Sequence, residues 1–217
     1  MGTVDSLVFT TTARAAFAVL LGLSAMPALA FTVTIPTGTR TLYLQVGVGT
    51  FTGTLQGGGS PGVNNTVNTV SVTVPAAQVG SGAAQAMTTN STAAQSFWDN
   101  FTFCSPPAQL YVGGFYRRNN SAGGTGATLT ATVPATLGNG SGGTISFSQI
   151  SWTSSGAGDT GAQPFPAGTF VPGSTQSIGS IARNQWAESC LTFSYANSAI
   201  VPGGTYTGTV VYTLSAP

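Results

Sequence analysis

Three carboxylates lie beyond the N-terminal segment of the chain: Asp99, Asp159 and Glu188. Hydrolysis of a glycosidic bond needs two carboxyl groups within about 5 to 10 Å of each other, in different environments. Asp99 lies five residues before Cys104, and Glu188 lies two residues before Cys190, so a bond between the cysteines would bring these two acids together. The sequence therefore allows a two-carboxylate site. We favour the alternative, in which each acid pairs with an arginine or caps a turn.

Residue types that most enzymes need are missing from the chain. It contains no histidine, and all five of its basic residues are arginines. Histidine is the usual proton shuttle near neutral pH and the commonest metal ligand. The chain also has no Asp-x-Asp-x-Asp loop for calcium and no glycine-rich stretch with the lysine of a phosphate-binding loop. The sequence therefore predicts a protein that is not an enzyme and that has no cofactor and no metal site.

A double arginine follows an aromatic pair at Phe115 and Tyr116. Tyr116, Arg117 and Arg118 are candidate contacts for an anion or a glycan, because arginine forms charge-assisted hydrogen bonds with anionic groups. The alternative is a charged strand end that pairs with an acid or keeps the edge soluble. The five arginines are scattered along the chain and the net charge is +1, which predicts no electrostatic footprint for a nucleic acid.

The first 30 residues have the pattern of a secretory signal peptide. A weakly basic start is followed by an apolar run over residues 15–23 and by the tripeptide Ala28-Leu29-Ala30, which is the order of regions that export and cleavage need. The apolar run is short of the roughly 20 residues of a spanning helix, although an uncleaved anchor is the alternative. We expect a secreted or cell-surface protein with no membrane span in residues 31–217.

Cys104 and Cys190 are the two cysteines of the chain. In an exported protein an even number of cysteines indicates disulfide bonding. A reactive thiol would need a neighbouring imidazole or cation to lower its pKa, and no histidine is present. The sequence predicts a Cys104–Cys190 disulfide, with bonds between neighbouring subunits as the alternative.

Short runs of alternating apolar and polar residues fill the rest of the chain, which is the pattern of β-strands. Threonine occupies many of the polar positions and suits a solvated sheet face. Clusters of Gly, Pro, Asn and Ser separate the runs and predict turns. The runs lie at 31–35, 42–48, 70–74, 101–103, 110–112, 129–133, 145–147, 191–195 and 206–214.

About eight to ten strands without a convincing amphipathic helix predict an all-β fold. The expected architecture is an antiparallel β-sandwich of the Greek-key, immunoglobulin-like or jelly-roll-like kind. No linker or step in composition divides residues 31–217, so we expect a single domain there.

Phe31, Val33 and Ile35 form a short alternating strand at the N-terminus that cleavage would create. Such a strand can pair with the sheet edge of a neighbouring subunit by strand addition. The alternative is an ordinary first strand within its own sheet, and the sequence leaves both open.

The C-terminal run from Pro202 to Leu214, with Gly-Thr-Tyr followed by Thr-Val-Val-Tyr-Thr, resembles the closing strand of secreted bacterial pilin-like and spore-coat-U-like subunits. In chaperone–usher pilins this strand carries a glycine and a penultimate tyrosine, and it contacts the chaperone. Gly204 stands at the glycine position, and Ala216 stands where the tyrosine would be. The resemblance implies an exported β-sandwich surface subunit.

Only 4% of the residues are charged, against about 25% in an ordinary domain. Low charge weakens the repulsion between protein molecules, which an exported subunit that packs against its own copies can tolerate. The sequence therefore predicts a non-enzymatic extracellular structural or adhesive subunit that assembles into a filament or surface layer by strand addition. The alternative is a monomeric secreted carbohydrate-binding or adhesion module. Expected partners are copies of itself, other surface subunits or a glycan, and no nucleic acid.

Overall fold

The computed structural model describes residues 32–119, 125–159 and 161–217. The predicted signal peptide, residues 1–30, lies outside the described residues, as does Phe31 of the predicted assembly strand. The described strands are β1 (Thr32–Thr34), β2 (Thr41–Val46), β3 (Phe51–Thr52), β4 (Ser60–Pro61), β5 (Val70–Ser71), β6 (Gln85–Ala86), β7 (Thr88–Thr89), β8 (Leu110–Arg117), β9 (Ala127–Thr132), β10 (Thr136–Gly138), β11 (Thr144–Ser146), β12 (Ile150–Ser155), β13 (Gly168–Thr169), β14 (Thr175–Ile181), β15 (Gln185–Tyr195) and β16 (Val211–Ser215). Two short 3-10 helices span Ala76–Gln78 and Phe147–Gln149. No helix of the described residues is long and apolar enough to cross a membrane.

Two antiparallel sheets form the body of the molecule. The larger sheet has the order β13-β12-β15-β8-β2, with β1 and β6 also paired to the central strand β15, and the smaller sheet has the order β14-β9-β16. Along the chain β8, β12 and β15 of the larger sheet alternate with β9, β14 and β16 of the smaller one. The predicted all-β, antiparallel sandwich-type fold is confirmed.

The main core lies between the two sheets. In β9 the buried residues Ala127, Leu129 and Ala131 alternate with threonines that are more exposed, as the two-residue period of a strand requires. They pack against buried side chains of the larger sheet, such as Val112 and Leu191. Burial of this apolar surface is the main force that holds the two sheets together.

Segments of residues 47–106, which we call the loop layer, cover the other face of the larger sheet. Within this range, β6 is paired to β15, and Val70 and Met87 pack on the main core. This layer contributes Phe97 and Phe103 to two further apolar clusters, which they share with side chains from the outer face of β8 and β15. Because both its faces are covered, β15 is buried without interruption from Trp186 to Leu191. The architecture thus has three layers: the smaller sheet, the larger sheet and the loop layer.

Candidate functional site

The loop layer is bonded covalently to the central strand. Cys104 and Cys190 form a disulfide within the chain, with their Cα atoms 5.6 Å apart, so the predicted disulfide is confirmed. The two cysteines are 2% and 0% exposed. The bond fixes the end of the loop layer to the middle of β15.

Glu188 lies two residues from this bond, on the face of β15 that the loop layer covers, and is 0% exposed. The Tyr111 hydroxyl donates a hydrogen bond of 2.5 Å to Oε2 of Glu188. Oε1 has no hydrogen-bond partner among the described residues. Burial raises the pKa of Glu188, while the side chains of Tyr111, Ser96 and Trp186 act in the opposite direction by favouring the charged carboxylate. The indole N–H of Trp186 is also buried and has no hydrogen-bond partner among the described residues.

The second acid of the predicted pair lies on the surface. Asp99 is exposed, and its Oδ1 accepts a hydrogen bond of 2.9 Å from the N–H of Phe101, so Asp99 caps a turn. Its negative charge is the last of the causes that raise the pKa of Glu188, which places the two acids in the same region. Since Glu188 has no exposed surface, the pair does not form an open site that a substrate could enter.

Asp159, the third acid, lies in the turn after β12. Its Oδ1 accepts a hydrogen bond of 2.8 Å from the N–H of Gly161, and its Oδ2 accepts one of 3.1 Å from Nε2 of Gln163. These contacts hold the turn. In the described part of the chain, no group of three or more acidic or cysteine side chains is placed to bind a metal ion.

A glycine makes room for the Tyr111–Glu188 contact. Gly113 is the ladder partner of Glu188, and the Tyr111 ring folds over it on the way to the carboxylate. A Cβ at Gly113 would clash with the Tyr111 hydroxyl and would lie 2.6 Å from Cζ of the same ring. A side chain at this position therefore displaces the ring or its hydroxyl.

We expect Gly113→Ala to lower the free energy of unfolding by about 1 to 3 kcal/mol, because a methyl group forced into a packed region strains it. Urea unfolding followed by circular dichroism measures this change. Gly138→Ala is the matched control: Gly138 also lies in a strand, and a Cβ there meets nothing within 4 Å. Equal effects of the two substitutions would contradict the role assigned to Gly113.

The arginines that are scattered along the sequence lie together in the structure. Arg117 and Arg118 stand at the end of β8, and Arg40 precedes β2, whose first residue is the ladder partner of Arg117. Arg183 lies in the turn before β15, next to Asn184, whose Oδ1 accepts a hydrogen bond of 2.8 Å from the N–H of Arg118. Four of the five arginines thus gather at one end of the molecule, which we call the arginine end. The register of the strands brings together residues that are scattered along the sequence.

Two of these arginines bind oxygens of the chain itself. Nη2 of Arg40 donates to the carbonyl of Ala216 at 2.7 Å. Nη1 of Arg118 donates to the Tyr116 hydroxyl at 3.3 Å and to the carbonyl of Pro217 at 3.4 Å. The hydrogen bond from Arg118 lowers the pKa of Tyr116. Tyr116 is 0% exposed, so this predicted ligand contact is part of the main core.

Arg117 differs from its neighbours. Its guanidinium lies over the Phe115 ring, 5.7 Å from the centroid, and its Nε is buried without a hydrogen-bond partner among the described residues. Arg117 also lines a pocket of about 260 Å³ at the arginine end. The lining residues are Ile35, Pro36, Leu55, Gln56, Gly58, Gly59, Trp98 and Arg117.

Sequence reasoning had no signal for most of this pocket. Leu55, Gln56 and the glycines beside them belong to a cluster of turn residues, and nothing in that cluster points to a distant arginine. Backbone hydrogen bonds of 2.9 Å from Leu55 N–H to Phe97 O and from Gln56 N–H to Trp98 O place these turn residues beside the Trp98 ring. The pocket wall is therefore built by contacts within the loop layer.

The predicted assembly strand is paired within its own chain. In β1, Val33 is the ladder partner of Trp186. The N–H of Ile35 donates to Asn184 O at 2.9 Å, and Ile35 is 3% exposed. Of the two alternatives that the sequence leaves open, the structure has the internal pairing.

The C-terminal strand β16 presents a different edge. It is the outer strand of the smaller sheet, and its only ladder partner among the described residues is β9. Tyr212 and Leu214 turn towards the core, while Val211, Thr213 and Ser215 are exposed. The outer strand β2 of the larger sheet lies against β16, but no ladder joins the two in the described residues. In the part of the chain that the structure describes, no strand forms a ladder with the outer edge of β16.

No family model, no curated protein and no solved structure gives a significant match to this chain.

Proposed function

We propose that this protein is a non-enzymatic extracellular structural or adhesive subunit, which associates with copies of itself or with other surface subunits by strand addition at β16. The observation that carries this proposal is the unpaired outer edge of β16. A row of free N–H and C=O groups on a regular strand is a template for a further strand.

The sequence of β16 supports this use of its edge. Proteins commonly protect edge strands with charged residues, proline, bulges or covering loops. The five residues of β16, Val-Tyr-Thr-Leu-Ser, include no charged residue and no proline. The opposite edge strand, β14, carries a register shift between Ser177 and Gly179, and the side chain of Gln176 bonds the backbone of Thr169 and Val171 beside it. The two edges of the smaller sheet therefore differ in sequence: β16 has no charged residue, proline or register shift of its own, and the neighbours beside it are β2 and the side chain of Arg40.

Two further features support a structural role outside the cell. Glu188 is fully buried and hydrogen-bonded to Tyr111 of the neighbouring strand β8, which suits a structural carboxylate better than one that meets a substrate. A buried disulfide between the loop layer and the central strand suits a protein that persists in an oxidising environment. Assembly at β16 does not require β1 to leave its place, whereas donation of Phe31, Val33 and Ile35 to a neighbour would require its exchange between copies.

Charge placed on the β16 edge is expected to prevent assembly. We expect the purified chain to form oligomers whose size grows with concentration, and Val211→Lys/Thr213→Lys to remain monomeric, because lysines on an edge strand oppose pairing with a second strand. Sedimentation velocity over a concentration series measures the difference. Both residues are exposed, so the circular dichroism spectrum should be unchanged.

The matched control places the same two charges on the central strand of the same sheet. Thr128 and Thr132 of β9 are exposed, and they are the ladder partners of Ser215 and Val211. We expect Thr128→Lys/Thr132→Lys to assemble as the unmodified chain does. If the β16 variant still forms the same oligomers, or if both variants lose them equally, assembly does not take place at this edge.

A further inference from the structure

We propose that the pocket at the arginine end binds an acidic saccharide, with the sugar ring against Trp98 and its carboxylate on Arg117. This inference goes beyond assembly at β16 and is independent of it. It assigns a ligand class to a site formed by β1, the loop layer and the end of β8.

The size and the walls of the pocket suit one sugar ring. A volume of about 260 Å³ is just below the range of about 300 to 1,000 Å³ that is usual for pockets that hold drug-sized ligands. Ile35, Pro36 and Leu55 form an apolar wall, and the half-buried Trp98 adds an aromatic ring. An indole ring offers a flat apolar surface to the C–H face of a saccharide, while the exposed amide of Gln56 can bond its hydroxyl groups. An inorganic anion has no apolar face to use these walls.

The pocket is held open by contacts within the protein. The N–H of Trp98 donates to the Ser96 hydroxyl at 3.0 Å, and the Trp98 carbonyl accepts from Gln56 N–H at 2.9 Å. Gly58 has a φ of +83°, and a Cβ there would meet nothing within 4 Å. The exposed turn at Gly58 thus faces open space. Since the backbone bonds fix the turn beside Trp98, we expect little ordering of the protein on binding.

Arg117 supplies the specificity for a carboxylate. Its side chain is fixed between the Phe115 ring and Gly38, where a Cβ would lie 3.3 Å from the Arg117 Cδ. Its Nε is buried without a partner among the described residues, so a ligand in the pocket would bond the terminal Nη groups of Arg117. Arg40 and Arg118, in contrast, bond oxygens of the chain. A planar guanidinium binds a carboxylate through two parallel hydrogen bonds. The nearby arginines add positive potential, which favours an anionic sugar over a neutral one.

The test is titration with short oligomers of galacturonate, mannuronate and glucuronate, followed by NMR of the folded chain. We expect at least one of the three to shift the amide signals of Gln56, Gly58 and Gly59 and the indole signal of Trp98. The methyl ester of the same oligomer keeps the rings and loses the charge. It should bind at least about 10-fold more weakly, because a charge-assisted hydrogen bond is lost. Sulfate should not compete. Failure of all three oligomers, or equal competition by sulfate, would overturn the proposal.

Substitutions of single arginines test whether binding depends on Arg117 itself or on the overall positive charge of the arginine end. We expect Arg117→Gln to weaken binding about 10-fold or more, and Arg117→Lys to weaken it less, since lysine keeps the charge but loses the planar fork. Arg118→Gln and Arg40→Gln remove the same charge without lining the pocket and should change the affinity less than about 3-fold. Equal losses in all of these variants would contradict a site at Arg117.

The Val211→Lys/Thr213→Lys variant should bind the oligomer normally. Failure of the saccharide proposal and failure of the assembly proposal are therefore distinguishable.

Discussion

Replacing both Cys104 and Cys190 with alanine is expected to lower the free energy of unfolding by about 4 kcal/mol. The bond joins residues 86 apart in the sequence, and a cross-link that closes a loop of this length restricts the unfolded chain strongly, by about 4 to 5 kcal/mol on the chain-entropy description. Both cysteines are buried, so the folded state also loses packing when the sulfur atoms are removed.

Urea unfolding of the variant and of the unmodified chain measures this loss. Treatment of the unmodified chain with a thiol reductant under partly denaturing conditions should produce nearly the same destabilisation without any substitution. The loop layer should be affected first, because the bond ties its end to β15, so proteolytic cleavage within residues 47–106 should become faster. A loss of less than about 1 kcal/mol would contradict the role given to the bond.

The second large effect on stability is expected when the buried carboxyl group of Glu188 is replaced. Glu188→Ala should lower the free energy of unfolding by about 3 kcal/mol or more, because it leaves the Tyr111 hydroxyl without its acceptor and opens a cavity beside Trp186. Glu188→Gln keeps the shape and the acceptor, so a much smaller loss is expected. Tyr111→Phe and the double variant Tyr111→Phe/Glu188→Gln complete a cycle that isolates the energy of the contact.

The same carboxyl predicts a pH dependence with a definite sign. Burial raises the pKa of Glu188 above its ordinary value of 4.5, so the folded protein holds this proton more tightly than the unfolded chain does. The contribution of Glu188 to stability is therefore complete below the unfolded pKa and is lost as the pH rises through the folded one. Relative to Glu188→Gln, the unmodified chain should lose stability as the pH is raised above the ordinary value of 4.5. A difference in unfolding free energy that stays constant over this range would contradict the assignment.

The parts of the fold that the sequence predicts are those with regular alternation. In β9, buried Ala127, Leu129 and Ala131 follow a strict period of two, and the predicted run at 129–133 falls on this strand. The predicted runs at 42–48 and 191–195 likewise overlap β2 and β15. In these stretches one face is more deeply buried than the other, as in Leu191–Tyr195 of β15, and the sequence carries the pattern that such burial imposes.

Two of the longer strands have no such pattern and were missed. In β14 the register shifts between Ser177 and Gly179, so the buried Ile178 and Ile181 stand three residues apart and the period of two is broken. In β12 the apolar residues end at Trp152, and serine and threonine form the rest of the strand. Conversely, the predicted strand at 101–103 contributes a single bridge between Thr102 and Gln95, because its neighbours bond within the loop layer.

The candidate site could be predicted only in part. The neighbours of Arg117 in the sequence predict that it contacts a ligand, and Arg117 lines the pocket. Tyr116 carries the same local signal but faces the main core, and sequence spacing alone does not say which face of β8 is covered by which layer. The sequence predicts Glu188 beside the disulfide but not its complete burial, since glutamate is almost never fully buried unless it is paired. Its partner Tyr111 lies 77 residues away, beyond any local pattern.

Electron microscopy of the native cell surface with gold-labelled antibodies against this chain tests the proposed role most directly. We expect the label to follow ordered filaments or a continuous layer. Cells producing Val211→Lys/Thr213→Lys in place of the unmodified chain should lose this order, while cells producing Thr128→Lys/Thr132→Lys should keep it. Label found only on dispersed single molecules, or ordered label that persists in the β16 variant, would contradict assembly through this edge.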